Sequence, residues 1–317
     1  MQKVRLGRTG LNVSVAGLGA GGHSRLGQMQ GKDRRHSVDL VRRALDSGVT
    51  LIDTAAAYGT EEIVGEAIRG REGIVVSTKV WLTHGGLPDT TGFISAVEFD
   101  RRLDESLARL GVDCIDILHL HGVAPQQYDH CVDVYLPRLE AARQKGKIRF
   151  TGLTERFASD TDHAMMRRAV ADDCWDVLML GLNFVNQSAI RTLLPQAMEK
   201  DLGTLCMFAV RGPLAKKETA MQLLRRLVEA GEVAERWLGE DDPLAFLTAP
   251  GVAATLSEAA YRYCRHVPGM DVIVTGTGNP HHLDENLAAI CGPRLPDEVL
   301  ARLADMFGRV DGASGDM

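Results

Sequence analysis

Residues 50–79 read TLIDTAAAYGTEEIVGEAIRGREGIVVSTK, and this stretch decides the fold. A short β-rich run, Thr50–Asp53, leads through a turn at Gly59 into Glu61–Arg69, whose apolar residues recur at helical spacing. A second β-rich run, Ile74–Thr78, follows. Strand, helix, strand is a βαβ unit, which requires parallel strands joined by a crossover helix. Working outward, the alternation continues in both directions. Strands are expected near Ala16–Leu18, Ile115–His119, Ile148–Gly152, Asp176–Leu180, Thr204–Phe208 and Val272–Val274, which with the first pair makes eight. Helices are expected near Arg35–Ser47, Phe99–Leu110, Val132–Lys145, Asp162–Ala171, Ile190–Lys200 and Leu256–Arg265, with Leu103, Leu107 and Leu110 on one face. Eight strands alternating with helices is the count of a (β/α)8 TIM barrel. A doubly wound sheet is the structural alternative. Ahead of the barrel, VRLG, the turn RTGLN and VSVAG read as a β-hairpin.

No linker or composition break divides residues 1–317, so the expectation is a single barrel domain. Its irregular part is 211–255, after the seventh barrel strand, where a long loop carries its own helical run, ETAMQLLRRLVEAG. It reads as an inserted active-site loop or as a structural insertion. The tail 311–317 is expected to be loose. Over the 317 residues, 36 Lys+Arg against 42 Asp+Glu give a net charge of −6, with 45% hydrophobic residues. That balance excludes a disordered chain and argues against a nucleic-acid partner. No apolar run is long enough to span a bilayer, and the N-terminus lacks the apolar core of a signal peptide, so a cytoplasmic location without membrane contact is expected. Six scattered cysteines, none in a C-x-x-C pair, fit reduced thiols, and no metal site is expected. Oligomeric state stays open.

Gly17-Leu-Gly19-Ala20-Gly21-Gly22 matches G-x-G-x-x-G formally. A dinucleotide fingerprint needs a helix directly afterwards, and HSRLGQMQGKD has no helical periodicity. A glycine-rich loop leaving the first barrel strand, passing close beneath a flat ligand, fits better. Barrels keep their chemistry at the C-terminal ends of strands. There the sequence places Asp53, with Tyr58 five residues on, then Lys79, then His119 and His121. Taken singly, Asp53 also reads as a capping residue, Tyr58 as a rim residue and His119 as a wall residue. The two histidines share one strand face, with His121 nearer the mouth. An Asp, a Tyr, a Lys and a His from successive strand ends converge on one patch. Tyrosine titrates near pH 10, and the ammonium of Lys79 would lower that value by favouring the phenolate. Asp53 would hold Lys79, and His121 would donate to a carbonyl oxygen. None of these groups delivers a hydride, so a redox cofactor is required.

With these motifs the sequence resembles the aldo-keto reductases over nearly its whole length. The residues carrying the resemblance are GLGAGG, IDTAAAYGTEEIVGEAI, VSTKV, LDESLARLGVDCIDILHLH, GKIRFTGLT and VIVTGTGNPHHLDENLAAI. The resemblance implies Tyr58 as general acid, Lys79 and His121 as tuning and orienting groups, Asp53 as the partner of Lys79, and NADP(H) ahead of NAD(H) as cofactor. It implies cofactor contacts at Gly19, Ala20, Asp53, Thr154, Glu155, Met179, Asn183, Arg211, Leu214, Gly276, Thr277, His282, Glu285 and Asn286. Several depart from the family pattern. Thr154-Glu155 stands for the usual Ser-Asn, and Met179 for a Gln. Arg211-Gly212-Pro213-Leu214 is aligned with Tyr-Ser-Pro-Leu, so that a guanidinium takes the place of the stacking ring. The basic residues usual beside Thr277 are Gly276 and His282 here, which weakens the grip on a 2′-phosphate and keeps an NAD-linked sugar dehydrogenase as a rival. His23 and Trp81 are expected to face a small carbonyl or sugar substrate. A nucleotide-sensing regulatory subunit of a larger complex is the reading from another functional class.

Overall fold

The computed structural model describes residues 1–86 and 89–315. The parallel strands are β3 (Ala16–Gly19), β4 (Leu51–Asp53), β5 (Val75–Val80), β6 (Ile115–Val123), β7 (Ile148–Glu155), β8 (Val177–Gly181), β9 (Gly203–Met207) and β10 (Val272–Thr275). They close on themselves, β10 pairing with both β3 and β9, so the architecture is the (β/α)8 barrel expected, and the doubly wound alternative falls. A separate two-stranded antiparallel sheet, β1 (Lys3–Arg5) with β2 (Asn12–Ser14), is the expected hairpin. It seals the N-terminal end of the barrel. Leu6, Leu11 and Val13 pack with Leu51, Val75, Ile117, Val177, Leu205 and Val272 in one cluster. At that seam Gly7 has a positive φ of 44°, and a Cβ on it would lie 2.2 Å from the backbone nitrogen of Gly203.

Side chains two apart on a strand face the same way, so one face changes character as it climbs the barrel. Leu51 leads to Asp53. Val75 leads to Ser77 and Lys79, and Ile117 to His119 and His121. The lower positions are the apolar plug, and the upper ones bring polar groups to the open mouth. The strands β6 and β7 run further than expected, to Val123 and Glu155, with a register shift between Leu120 and Val123. The added length carries Thr154 within the strand and places His121 in the irregular stretch before Val123.

Helices pack outside the barrel, among them α1 (Arg34–Asp46), α2 (Glu61–Ile68), α3 (Ala96–Leu110), α4 (Leu256–Arg265), α5 (Pro280–Ile290) and α6 (Asp297–Phe307). Thr60 does not cap α2; its hydroxyl bonds that of Thr54 at 2.8 Å. The expected helix over Ile190–Lys200 is broken into Ser188–Thr192 and Leu194–Glu199, with Pro195 in the first turn of the second piece. The helix α6, absent from the sequence reading, carries Asp297 and Glu298 in its first turn and buries Val299, Leu303, Met306 and Phe307. Within 211–255 the expected helix runs from Lys217 to Glu229 and buries Leu223, Leu224 and Leu227. Of the tail expected to be loose, residues 316 and 317 lie outside the described residues. Ser314 is buried, and its carbonyl accepts from Asn183 at 3.0 Å.

Candidate active site

Four side chains gather where β4, β5 and β6 open. Lys79 and Asp53 are 1% and 4% exposed, and the Lys79 ammonium donates to the Asp53 carboxylate at 2.5 Å and to the Thr54 carbonyl at 2.8 Å. Ser77 donates to the other carboxylate oxygen at 2.9 Å, which fixes its orientation. Tyr58 sits on the short helical turn Ala56–Tyr58, closed by Gly59 at a φ of 69°. Its hydroxyl lies 3.3 Å from Nε2 of His121, and the Lys79 ammonium lies 5.1 Å from its ring centre. Trp81 packs on His121 with ring centres 4.4 Å apart.

Burial sets the proton affinities here. It raises the Tyr58 hydroxyl above the ordinary phenol value; Lys79 pulls the other way without prevailing, and Asp53 adds to the rise. Lys79 therefore acts in the expected direction, but the net shift is upward, because burial outweighs its pull and Asp53 opposes it. For Lys79 itself burial disfavours the charge, yet Asp53 and Tyr58 outweigh it and hold the ammonium above the ordinary lysine value. Burial, reinforced by Lys79, drives His121 well below the ordinary histidine value, so its ring is neutral. His119 follows the same pattern. It lies against Gly152, where a Cβ would meet its ring at 2.2 Å, and is a wall residue beneath His121.

Above these groups opens a cavity of about 820 Å³. Of the expected cofactor and substrate residues, Gly19, His23, Asp53, Tyr58, Met179, Arg211, Gly276, Thr277 and His282 line it. The others stand elsewhere. Ala20 is buried, its N–H donating to the Asp53 carbonyl at 2.7 Å. The Thr154 hydroxyl accepts from the Gly122 N–H at 2.6 Å, and Leu214 is 1% exposed. Asn183 organises a loop, accepting from Val185 and Asn186 N–H groups at 3.0 and 2.9 Å. Asn286 donates to Thr275 at 2.9 Å, while Glu285 is exposed beside His281. Glu155 is fully buried, 2.9 Å from Nδ1 of His163 and accepting from the Gly181 N–H at 2.7 Å, so its carboxylate is bound into the wall.

Arg211, aligned with the family's stacking tyrosine, lies in the loop after β9. β9 ends at Met207, and the Arg211 guanidinium lies 3.9 Å from the ring centre of Phe208. Phe208 has the left-handed φ of 67°, uncommon for an aromatic residue, and lines the cavity with Met207 and Tyr261. Its place as the last residue of the expected strand Thr204–Phe208 was the available signal. Gly21, expected as part of the glycine-rich loop beneath a ligand, has a further role: a Cβ there would lie 2.5 Å from Cε2 of Tyr58, so the missing side chain is what admits the tyrosine ring.

The sequence model of the aldo/keto reductase family matches residues 17–306, and the chain belongs to that family of NAD(P)-dependent oxidoreductases. It is similar to L-galactose dehydrogenase of Arabidopsis thaliana, 28% identical over 90% of this chain and 86% of that one. It is similar also to the NADH-specific methylglyoxal reductase of Escherichia coli, 27% identical over 92% of this chain and 94% of that one. Among solved structures, an aldo-keto reductase from Klebsiella pneumoniae in complex with NADPH has the same fold, with a TM-score of 0.66 and 23% identity over 100% of this chain and 99% of that one. Among the described residues no helix is long and apolar enough to cross a membrane.

Proposed function

We propose that the protein interconverts a small carbonyl compound and its alcohol by hydride transfer, with Tyr58 as the proton donor in reduction and acceptor in oxidation, and NADP(H) ahead of NAD(H) as cofactor. The observation that carries this is the Tyr58 hydroxyl, 3.3 Å from the neutral ring of His121 and directly above the buried Lys79–Asp53 pair. The cavity suits a dinucleotide. Lys32, Arg211 and several imidazoles line it, and its one lining carboxylate among the described residues, Asp53, is already paired. In a chain of net charge −6 such a lining favours a polyanion.

When bound, the reduced nicotinamide supplies a hydride to the carbonyl carbon. The protein does the rest. A substrate oxygen lodged between the Tyr58 hydroxyl and Nε2 of His121 takes hydrogen bonds from both, which fixes its position. As charge builds on that oxygen Tyr58 gives up its proton, and the Lys79 ammonium stabilises the phenolate left behind. Asp53 keeps Lys79 charged and aimed. Oxidation runs the same path backwards, with Tyr58 taking the alcohol proton.

The similarity to L-galactose dehydrogenase and to a methylglyoxal reductase supports small aldehydes and aldoses as the substrate class. The test is a panel of aldehydes, ketones and aldoses, methylglyoxal and L-galactose included, each run with NADPH, NADH and the oxidised forms. Turnover of at least one compound that Tyr58→Phe abolishes is the expected result. No turnover anywhere on the panel would refute the reading.

A further inference from the structure

The residues around Thr277 are short of the cation that a 2′-phosphate needs, since Gly276 and His282 stand where basic groups are usual. The structure brings a cation to that place from the opposite end of the chain. The loop between β3 and α1 folds back over the barrel mouth through left-handed residues Arg25, Leu26 and Gly27 and lies against the loop that follows β10. The two backbones touch. A Cβ on Gly278 would sit 2.6 Å from Cα of Gly27 and 2.4 Å from Oε1 of Gln30. Nε2 of His36 donates to the Gly278 carbonyl at 2.8 Å and ties the seam to α1. Across this seam runs the Lys32 stem, whose Cγ would be 3.0 Å from a Cβ on Gly27. Lys32, Thr277 and His282 all line the cavity.

We infer that Lys32 reads the 2′-phosphate of NADP(H), supplying from the first loop the positive charge missing after β10. The inference rests on the proposed dinucleotide binding. Lys32 has no ion-pair partner among the described residues, and the neighbouring carboxylate of Asp33 is engaged at 2.8 Å by the His36 N–H as the cap of α1. The Thr277 hydroxyl accepts from the Asn279 N–H at 3.1 Å, so its own proton is left to donate. An ammonium, a hydroxyl and an imidazole lining one cavity suit a phosphate monoester dianion. A cofactor with a plain ribose hydroxyl there gains little from the same groups. His36, whose Nε2–H is spent on Gly278, positions the seam and does not contact the phosphate.

The test is binding without turnover. Dissociation constants for NADPH and NADH are measured by nucleotide fluorescence, and those for 2′,5′-ADP and 5′-AMP by calorimetry, on the wild-type protein and on Lys32→Met, which keeps the stem packed on Gly27. Thermal unfolding confirms that the variant is folded. The expected result is about tenfold weaker binding of NADPH and 2′,5′-ADP, with NADH and 5′-AMP within twofold of wild type, since one charge-assisted contact is lost. An equal loss for both members of each pair, or no loss, overturns the assignment. Wild-type protein that binds NADH but not NADPH overturns it while leaving the proposed function standing. Wild-type protein that binds neither dinucleotide overturns both.

Discussion

Replacing Gly21 by alanine should disable the site without touching any group that carries charge. The backbone at Gly21 is compatible with alanine, so the effect comes from the added Cβ alone. That atom would stand 2.5 Å from Cε2 of Tyr58 and 2.7 Å from both Cδ2 and Cζ. Carbon atoms rest comfortably at about 3.5 Å or more, so the ring has to retreat by roughly 1 Å. The Tyr58 hydroxyl is already 3.3 Å from His121, and the retreat takes it out of hydrogen-bond reach. A misplacement of that size at a reacting group costs about 10²-fold in rate. The assay is kcat for carbonyl reduction, read beside the cofactor dissociation constant and the unfolding temperature. A hundredfold lower kcat in a protein that unfolds at the wild-type temperature is expected. A folded variant with kcat within threefold of wild type would show that the position of Tyr58 does not govern the reaction.

Three further outcomes follow from the same geometry. Asp53→Asn leaves Lys79 as a buried, unpaired ammonium, and stability should fall by about 3–5 kcal/mol in denaturant titration; a loss below 1 kcal/mol would contradict the buried pair. Because His121 is driven well below 6.5 and Tyr58 is raised above 10.0, neither changes charge near neutrality, so kcat/KM for reduction should be flat from about pH 6 to pH 9. An inflection near 6.5 in that profile would place a titrating histidine in the site. For His163 burial opposes the charged ring, yet Glu155 outweighs it and the folded pKa lies above 6.5. Its pairing therefore stabilises fully below 6.5 and the benefit is lost as pH rises through the raised value. The stability gap between wild type and Glu155→Gln should accordingly narrow from pH 6 upward; a gap that widens would contradict the pairing.

The barrel and the four converging side chains were legible in the sequence for one physical reason. Strands buried on both sides are short β-branched runs, and a parallel barrel points every strand end at one mouth, so Asp53, Lys79 and His121 need only be last on their strands to meet. Tyr58 was legible by its place after β4, although the space it occupies depends on Gly21, which packs against it from another loop. The rest depended on long-range packing. Lys32 reaches the cavity that Thr277 lines only because the first loop folds back through left-handed residues, and no periodicity announces that. Glu155 looked like a charge beside the cofactor; the buried histidine that claims it, His163, lies in a different turn. Arg211 lines the cavity from the loop after β9, and its place over the Phe208 ring depends on a left-handed turn that no periodicity announces. The net Tyr58 shift is upward because burial of the hydroxyl, which depends on packing from several loops, outweighs the pull of Lys79, with Asp53 adding to the rise.

The central claim is that Tyr58 delivers the proton that accompanies hydride transfer. The most direct measurement is single-turnover reduction of an aldehyde by nicotinamide cofactor deuterated at the transferring position, compared between wild type and Tyr58→Phe at saturating cofactor. The account requires one deuterium on the product carbinol carbon from the wild-type protein, and a variant that binds the cofactor equally well but transfers the label about 10³-fold more slowly. Label transfer at the wild-type rate in the variant would contradict it.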